Sequence, residues 1–167
     1  MSYFDETLIN TLQKKGIGFL QLSKTKEAQL IDEIKKLTFI GNKIDWSTVK
    51  NSVNLNTLDR PEALTQISEG LSRLRVKNVC FLGDSAIDHA YIVKIGDIRK
   101  TIDVFSEIPQ HTYIFPENLC WIACITFEGD LDYADLRPTN CSPHPPLNSG
   151  NTHKSESDRH ILVSEWG

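Results

Sequence analysis

Leu119–Phe127 (LCWIACITF) is the most apolar run in the chain, and a Glu-Gly-Asp turn and a second short segment, Leu131–Tyr133, follow it directly. A short apolar run bounded by turn residues reads as a buried strand, and this one reads as the central strand of its sheet. Connections as short as Glu128-Gly129-Asp130 join strands side by side in opposite directions. The pair therefore commits this part of the chain to an antiparallel sheet.

The segments before it change period. Ser2 with Asp5 three residues on forms a capping-box pattern, and Phe4, Leu8, Ile9 and Leu12 recur at helical spacing until Gly16. Ile17–Leu22 is short and apolar and reads as a strand. Thr25 is placed to cap a second helix with Ala28, Ile31, Ile34 and Leu37 as its buried stripe. Asp59 and Pro61 open a third helix, whose stripe is Leu64, Ile67, Leu71 and Leu74. Gly70 weakens that helix by about 1 kcal/mol relative to alanine unless something packs closely there. Val79–Leu82 and His89–Ile95 read as strands around a Gly83–Asp88 turn. Asp97 is placed to cap a fourth helix, and His111–Phe115 reads as a further strand. Gly41–Leu58, rich in Asn and Ser, matches no period.

Helices first, then strands interrupted by one helix, predict an α+β fold: an antiparallel sheet of four to five strands, helices packed on one face, the N-terminal part mainly helical. With 167 residues, 40% of them apolar, the chain can build one real core, expected over residues 1–136. Residues 137–167 carry Pro138, Pro143, Pro145 and Pro146 among Ser, Asn and Thr, a composition that predicts a disordered tail.

Charge narrows the function classes. A formal net charge of -4 argues against nucleic acid as a partner, since phosphates demand a basic face. No apolar run approaches the roughly 18 residues of a membrane span, and the acidic N-terminus does not read as a signal peptide. A cytoplasmic protein is expected. Cys120 and Cys124, four residues apart on an extended strand, are separated by roughly 13 Å, beyond the ~7 Å limit for a disulfide. They read as small buried hydrophobes.

Three groups of residues carry candidate chemistry. Phe81-Leu-Gly-Asp-Ser85 resembles the nucleophile block of the Gly-Asp-Ser-Leu esterases and lipases, with Ser85 as nucleophile. The chain departs from that family in lacking an Asp-x-x-His and a Gly-x-Asn-Asp block, so no base or oxyanion hole accompanies the serine. Cys141, His144, His153 and His160 are a donor set acceptable to zinc, at spacings that match no known finger. No metal or other cofactor is expected. The third group is acidic: Glu128, Asp130, Asp132 and Asp135 fall within eight residues, with no basic residue until Arg137. A solvated hairpin protected by edge charge is the plain explanation. Against it, alternation sets Asp130 and Asp132 opposite Leu131 and Tyr133, so like charges are held together on one ribbon. A basic partner would relieve their repulsion and associate fast.

Ile108–Leu136 is similar to the C-terminal part of small bacterial immunity proteins from polymorphic and contact-dependent growth-inhibition toxin systems. The shared pattern is an aromatic-Pro-acidic loop (Phe115-Pro116-Glu117), a Trp-containing strand (Trp121) and an acidic Glu-Gly turn (Glu128-Gly129). By pattern the likeness extends over Val79–Leu136. It implies a non-enzymatic inhibitor that binds one cognate toxin domain in the cytoplasm and occludes its active site or substrate groove. Many such toxins are nucleases with cationic clefts, which an acidic ribbon would complement as a phosphate mimic. The binding residues so implied are Glu128, Asp130, Asp132 and Asp135, with Tyr133 or Tyr113 as an aromatic anchor. An esterase built on Ser85 and a generic interaction module are the alternatives.

Overall fold

The computed structural model describes residues 2–137. Residues 138–167, and with them the predicted tail and the Cys141, His144, His153 and His160 set, lie outside the described residues. The chain runs α1 (Tyr3–Lys14), β1 (Phe19–Gln21), α2 (Lys24–Ile34), β2 (Phe39–Ile40), β3 (Lys43–Ile44), a 3-10 turn (Trp46–Thr48), β4 (Ser52–Asn54), α3 (Arg60–Ser72), β5 (Asn78–Gly83), β6 (Tyr91–Lys94), a second 3-10 turn (Ile95–Asp97), α4 (Ile98–Phe105), β7 (Thr112–Phe115), β8 (Trp121–Ile125) and β9 (Leu131–Asp135).

The α+β class is as expected, but the sheet is larger. Seven strands pair in the order β1-β6-β5-β7-β8-β9-β4, every pair antiparallel, and β2 and β3 form a separate hairpin. Both edge strands are only three residues long: β1 falls within Ile17–Leu22, which the sequence marked as a strand, whereas β4 is too short to register as alternation. β4 comes from the polar Gly41–Leu58 stretch. Its pairing with β9 also means that the acidic strand is not the edge of the sheet.

All five residues of β8 are buried, so this strand is covered on both sides. One side packs on α1, α3 and α4 through Leu8, Leu12, Ile67, Leu71, Ile102 and Phe105, against Val79, Phe81, Tyr91, Ile114, Trp121 and Ile125. The other carries Cys80, Leu82, Tyr113, Phe115, Ile122 and Cys124, and α2 and the β2–β3 hairpin cover it with Leu30, Ile34 and Ile44. Helices thus pack on both faces, three on one and α2 on the other. Cys120 stands just before β8, escapes its alternation and packs with the first core, whereas Cys124 belongs to the second.

Local chemistry explains the helix starts, with two corrections. Ser2 caps α1 in the predicted box, and Asp59 caps α3 with Pro61 in its first turn. The cap of α2 is Ser23 rather than Thr25. Asp97 makes no side-chain cap bond, because a 3-10 turn already leads the chain into α4. Gly70 meets the indole of Trp121: a Cβ there would lie 3.4 Å from the ring, so glycine brings α3 down onto β8.

Asp5 does more than cap. It is fully buried, and its carboxylate accepts bonds from Tyr91 Oη (2.6 Å), Asp88 N (2.8 Å), Ser2 Oγ (2.7 Å) and Ser2 N (3.1 Å). Burial alone would raise its pKa, but the Tyr91, Asp88 and Ser2 donors together outweigh it and hold the carboxyl below its usual range. Ser2 Oγ also donates to Ala86 O at 2.9 Å, so the start of α1 grips the loop between β5 and β6. Asp5→Ala takes the acceptor from the Tyr91 hydroxyl in the core. We expect a loss of about 3 kcal/mol in urea unfolding. A depressed folded-state pKa gives stability that is present above the unfolded value, about 3.9, and lost as pH falls through the lower folded value. Asp5→Asn should therefore flatten the acid limb of the stability profile below about pH 4.

Candidate functional site

The second face of the sheet, at the end where β5 stops, gathers most of the charged chemistry. Register places Leu82, Tyr113, Cys124, Asp132 and Asn54 in one row across five strands. One step further out, Asp84 N bonds His111 O (3.1 Å) and Thr126 N bonds Asp130 O (2.9 Å), which continues the same register. Asp84, His111 and Asp130 therefore share a row beside Asp132. Their proximity shows at Cys124, whose thiol pKa is pushed up first by burial and then by Asp132 and Asp84, with Lys43 opposing and Asp130 adding.

Four of the six residues singled out from the sequence lie here. Asp130 accepts from Asn56 Nδ2 at 2.9 Å, and Asp132 accepts from Asn54 Nδ2 at 2.7 Å. Both asparagines come from the stretch without period. Their amides are neutral, so they fix the carboxylates without cancelling the charge. Glu128 is on the hairpin turn, 3.8 Å from His111 Nε2; its own backbone N–H and then the charges of His111 and Lys43 hold its carboxyl below the usual range. Tyr113 is buried in the row behind them, and its hydroxyl donates to Asn42 O at 3.3 Å, tying the sheet to the β2–β3 hairpin.

The other two lie elsewhere. Asp135 is at the far end of β9, opposite Trp121, and is paired with the Arg137 guanidinium, which holds its carboxyl low. Tyr133 faces the helices and stacks on Trp121, with ring centroids 5.6 Å apart. The tyrosines thus lie on opposite faces, and alternation along β9 separates Asp135 from Asp132.

Strand pairing also adds two residues that the sequence did not connect. Asp84 Oδ2 lies 2.5 Å from His111 Nδ1, and Asp84 Oδ1 accepts from His111 N at 3.1 Å and from Ser85 Oγ at 3.0 Å. The order is serine–carboxylate–imidazole. A hydrolase triad needs the imidazole between serine and carboxylate, so here the Ser85 hydroxyl is bonded to an acceptor that cannot relay its proton to His111. His111 Nε2 is buried and makes no hydrogen bond. The loop is held firmly. Gln110 Oε1 accepts from Ala86 N (2.9 Å) and Ile87 N (3.2 Å), and its amide lies flat against Gly83, where a Cβ would come within 2.3 Å of Oε1.

Beside this row a cleft of about 640 Å³ opens between the sheet, the C-terminal end of α2 and the β2–β3 hairpin. Leu82 and Tyr113 form its floor, Ile34 and Phe39 part of its walls, and Asp84 lines it. Among the described residues no three His, Cys, Asp or Glu side chains form a metal-binding group, and no helix is long and apolar enough to cross a membrane.

No protein-family model matches the chain, and no curated protein sequence matches it.

Asp132 gives a direct test of this electrostatic arrangement. Burial raises its carboxyl pKa, the Asn54 bond opposes that, and Asp130 adds to the rise. A carboxyl whose folded pKa is raised stabilises the fold less and less as pH climbs from the unfolded value through the folded one. Asp132→Asn should accordingly raise the Tm at pH 7, with the gain vanishing toward pH 3, as followed by thermal unfolding across that range.

Proposed function

We propose that this chain is a non-enzymatic immunity protein, which binds a cognate toxin domain through the acidic end of the sheet and neutralises it. The observation that carries this reading is the way Asp130 and Asp132 are held. Neutral asparagine amides orient both, and among the described residues neither forms an ion pair with Lys or Arg. Asp84 and Glu128 lie nearby, both beside His111, so the unpaired charge on this surface is that of Asp130 and Asp132. Fixed, uncancelled charge costs stability in the free protein and favours a basic partner, accelerating its encounter.

Asp135 has its countercharge in Arg137 and Tyr133 is engaged by Trp121, so the recognition surface is centred on Glu128, Asp130, Asp132 and Asp84. A nuclease toxin, whose cleft is built for phosphate, is the partner chemistry that best suits such a surface. The sequence resemblance of Val79–Leu136 to immunity proteins points to the same role, and a cytoplasmic site of action would follow from it.

Co-purification from bacterial cytoplasm, followed by growth rescue against the protein recovered, tests this reading. The wild-type chain should bind one-to-one and protect. Asp130→Ala/Asp132→Ala should stay folded, associate about tenfold more slowly at low salt, and protect poorly. Ser85→Ala should protect fully. A folded double variant that still protects would move the site elsewhere. Failure of the wild-type chain to bind or rescue would refute the role itself.

A further inference from the structure

The cleft beside the acidic row has features that the charge argument does not use. Its floor and walls are largely apolar, from Leu82, Tyr113, Ile34 and Phe39, yet Asp84 reaches into it. Asp84 Oδ1 is engaged by Ser85 Oγ and His111 N, and Oδ2 faces His111 Nδ1. A carboxylate accepts about four hydrogen bonds, so Oδ2 keeps room for one more donor. The C-terminal end of α2 forms the facing wall, where the Ile31, Glu33 and Ile34 carbonyls accept from Lys35 N, Lys36 N and Leu37 N, so Asp84 is the anionic group of the cleft. Lys35, exposed at the rim, is the cation that lines the cleft among the described residues, while Lys43 and His111 act on the neighbouring acidic row.

An apolar channel leading to an anionic end fits a side chain with a long aliphatic stem and a cationic head. We propose that the cleft receives an arginine side chain of the protein partner, with its stem against Phe39 and Leu82 and its guanidinium on Asp84. Guanidinium suits this position better than ammonium, because it is planar, weakly hydrated and able to bond a carboxylate while lying on apolar surface. This inference rests on the binding role proposed above and names the pocket that gives that surface its selectivity. Exposed Ile40 on the hairpin and exposed Phe127 on the β8–β9 turn provide apolar contact near the cleft and beside the acidic hairpin, respectively.

The test uses the full chain without any toxin. Amide shifts are followed by NMR during titration with n-butylguanidinium, the arginine side chain in isolation, and compared with n-butylammonium, neutral 1-pentanol and anionic valerate at matched ionic strength. Saturable shifts are expected at Gly41, Asn42, Gly83, Asp84 and Tyr113, with millimolar affinity. Pentanol should bind at least about threefold more weakly and valerate not at all. Lys35→Ala removes the opposing charge at an exposed position, where folding is not at stake, and should tighten butylguanidinium about twofold or more. Asp84→Asn should abolish the preference for guanidinium over pentanol. Absence of saturable shifts at these amides would overturn the proposal, as would pentanol binding equally well, shifts confined to Phe127–Asp132, or no response to Lys35→Ala. None of those failures touches growth rescue, so the pocket and the immunity role stand or fall separately.

Discussion

Trp121–Ile125 sends five consecutive buried side chains alternately to the two sides of the sheet, so neither side can be left to water. Each large apolar side chain buried there contributes roughly 1.5–3 kcal/mol, and both layers are needed to collect it. The helical layer is thick and continuous. The second layer is made of an 11-residue helix with two buried residues and a hairpin of two-residue strands, elements too small to roof the whole face. The cleft lies where that roof ends, and the charged row adjoins it. Site and fold therefore follow from one constraint: a strand that must be covered twice, and a second cover that is incomplete.

The loop after β5 is unusually well secured for a connection of seven residues between strands. Asp5 and Ser2 hold it from α1, Gln110 holds it from the segment before β7, and Glu27 accepts from Ala90 N at 3.1 Å. Lys24 bonds Asp88 O as well, so the N-terminal end of α2 is tied to this loop. These bonds position Asp84 before any partner arrives. Preorganisation of that kind spares an interface the entropy of ordering a loop on contact.

Neutral donors separate the two kinds of carboxylate in the β8–β9 hairpin. Asp135 meets a guanidinium and its charge is locally matched, whereas Asp130 and Asp132 meet amides and remain net negative. Acidic composition alone does not distinguish these cases. The identity of the donor does, and both donors here come from a segment more than seventy residues away in sequence.

The amino-acid sequence by itself determined the α+β class, the helices starting at Ser2 and near Pro61, the buried strand around Trp121 and the acidic turn after it. Those features rest on interactions within a few residues of one another: periodicity, caps and turn chemistry. Tertiary structure alone decided that β9 lies inside the sheet, that α2 covers the second face, and that Asp84 and His111 meet. It also decided which carboxylates keep their charge. The edge strand β4 is three residues, too short for a period, and its existence and position are set by its pairing with β9. A strand pair brings residues together by register, and register depends on burial of whole faces rather than on spacing along the chain.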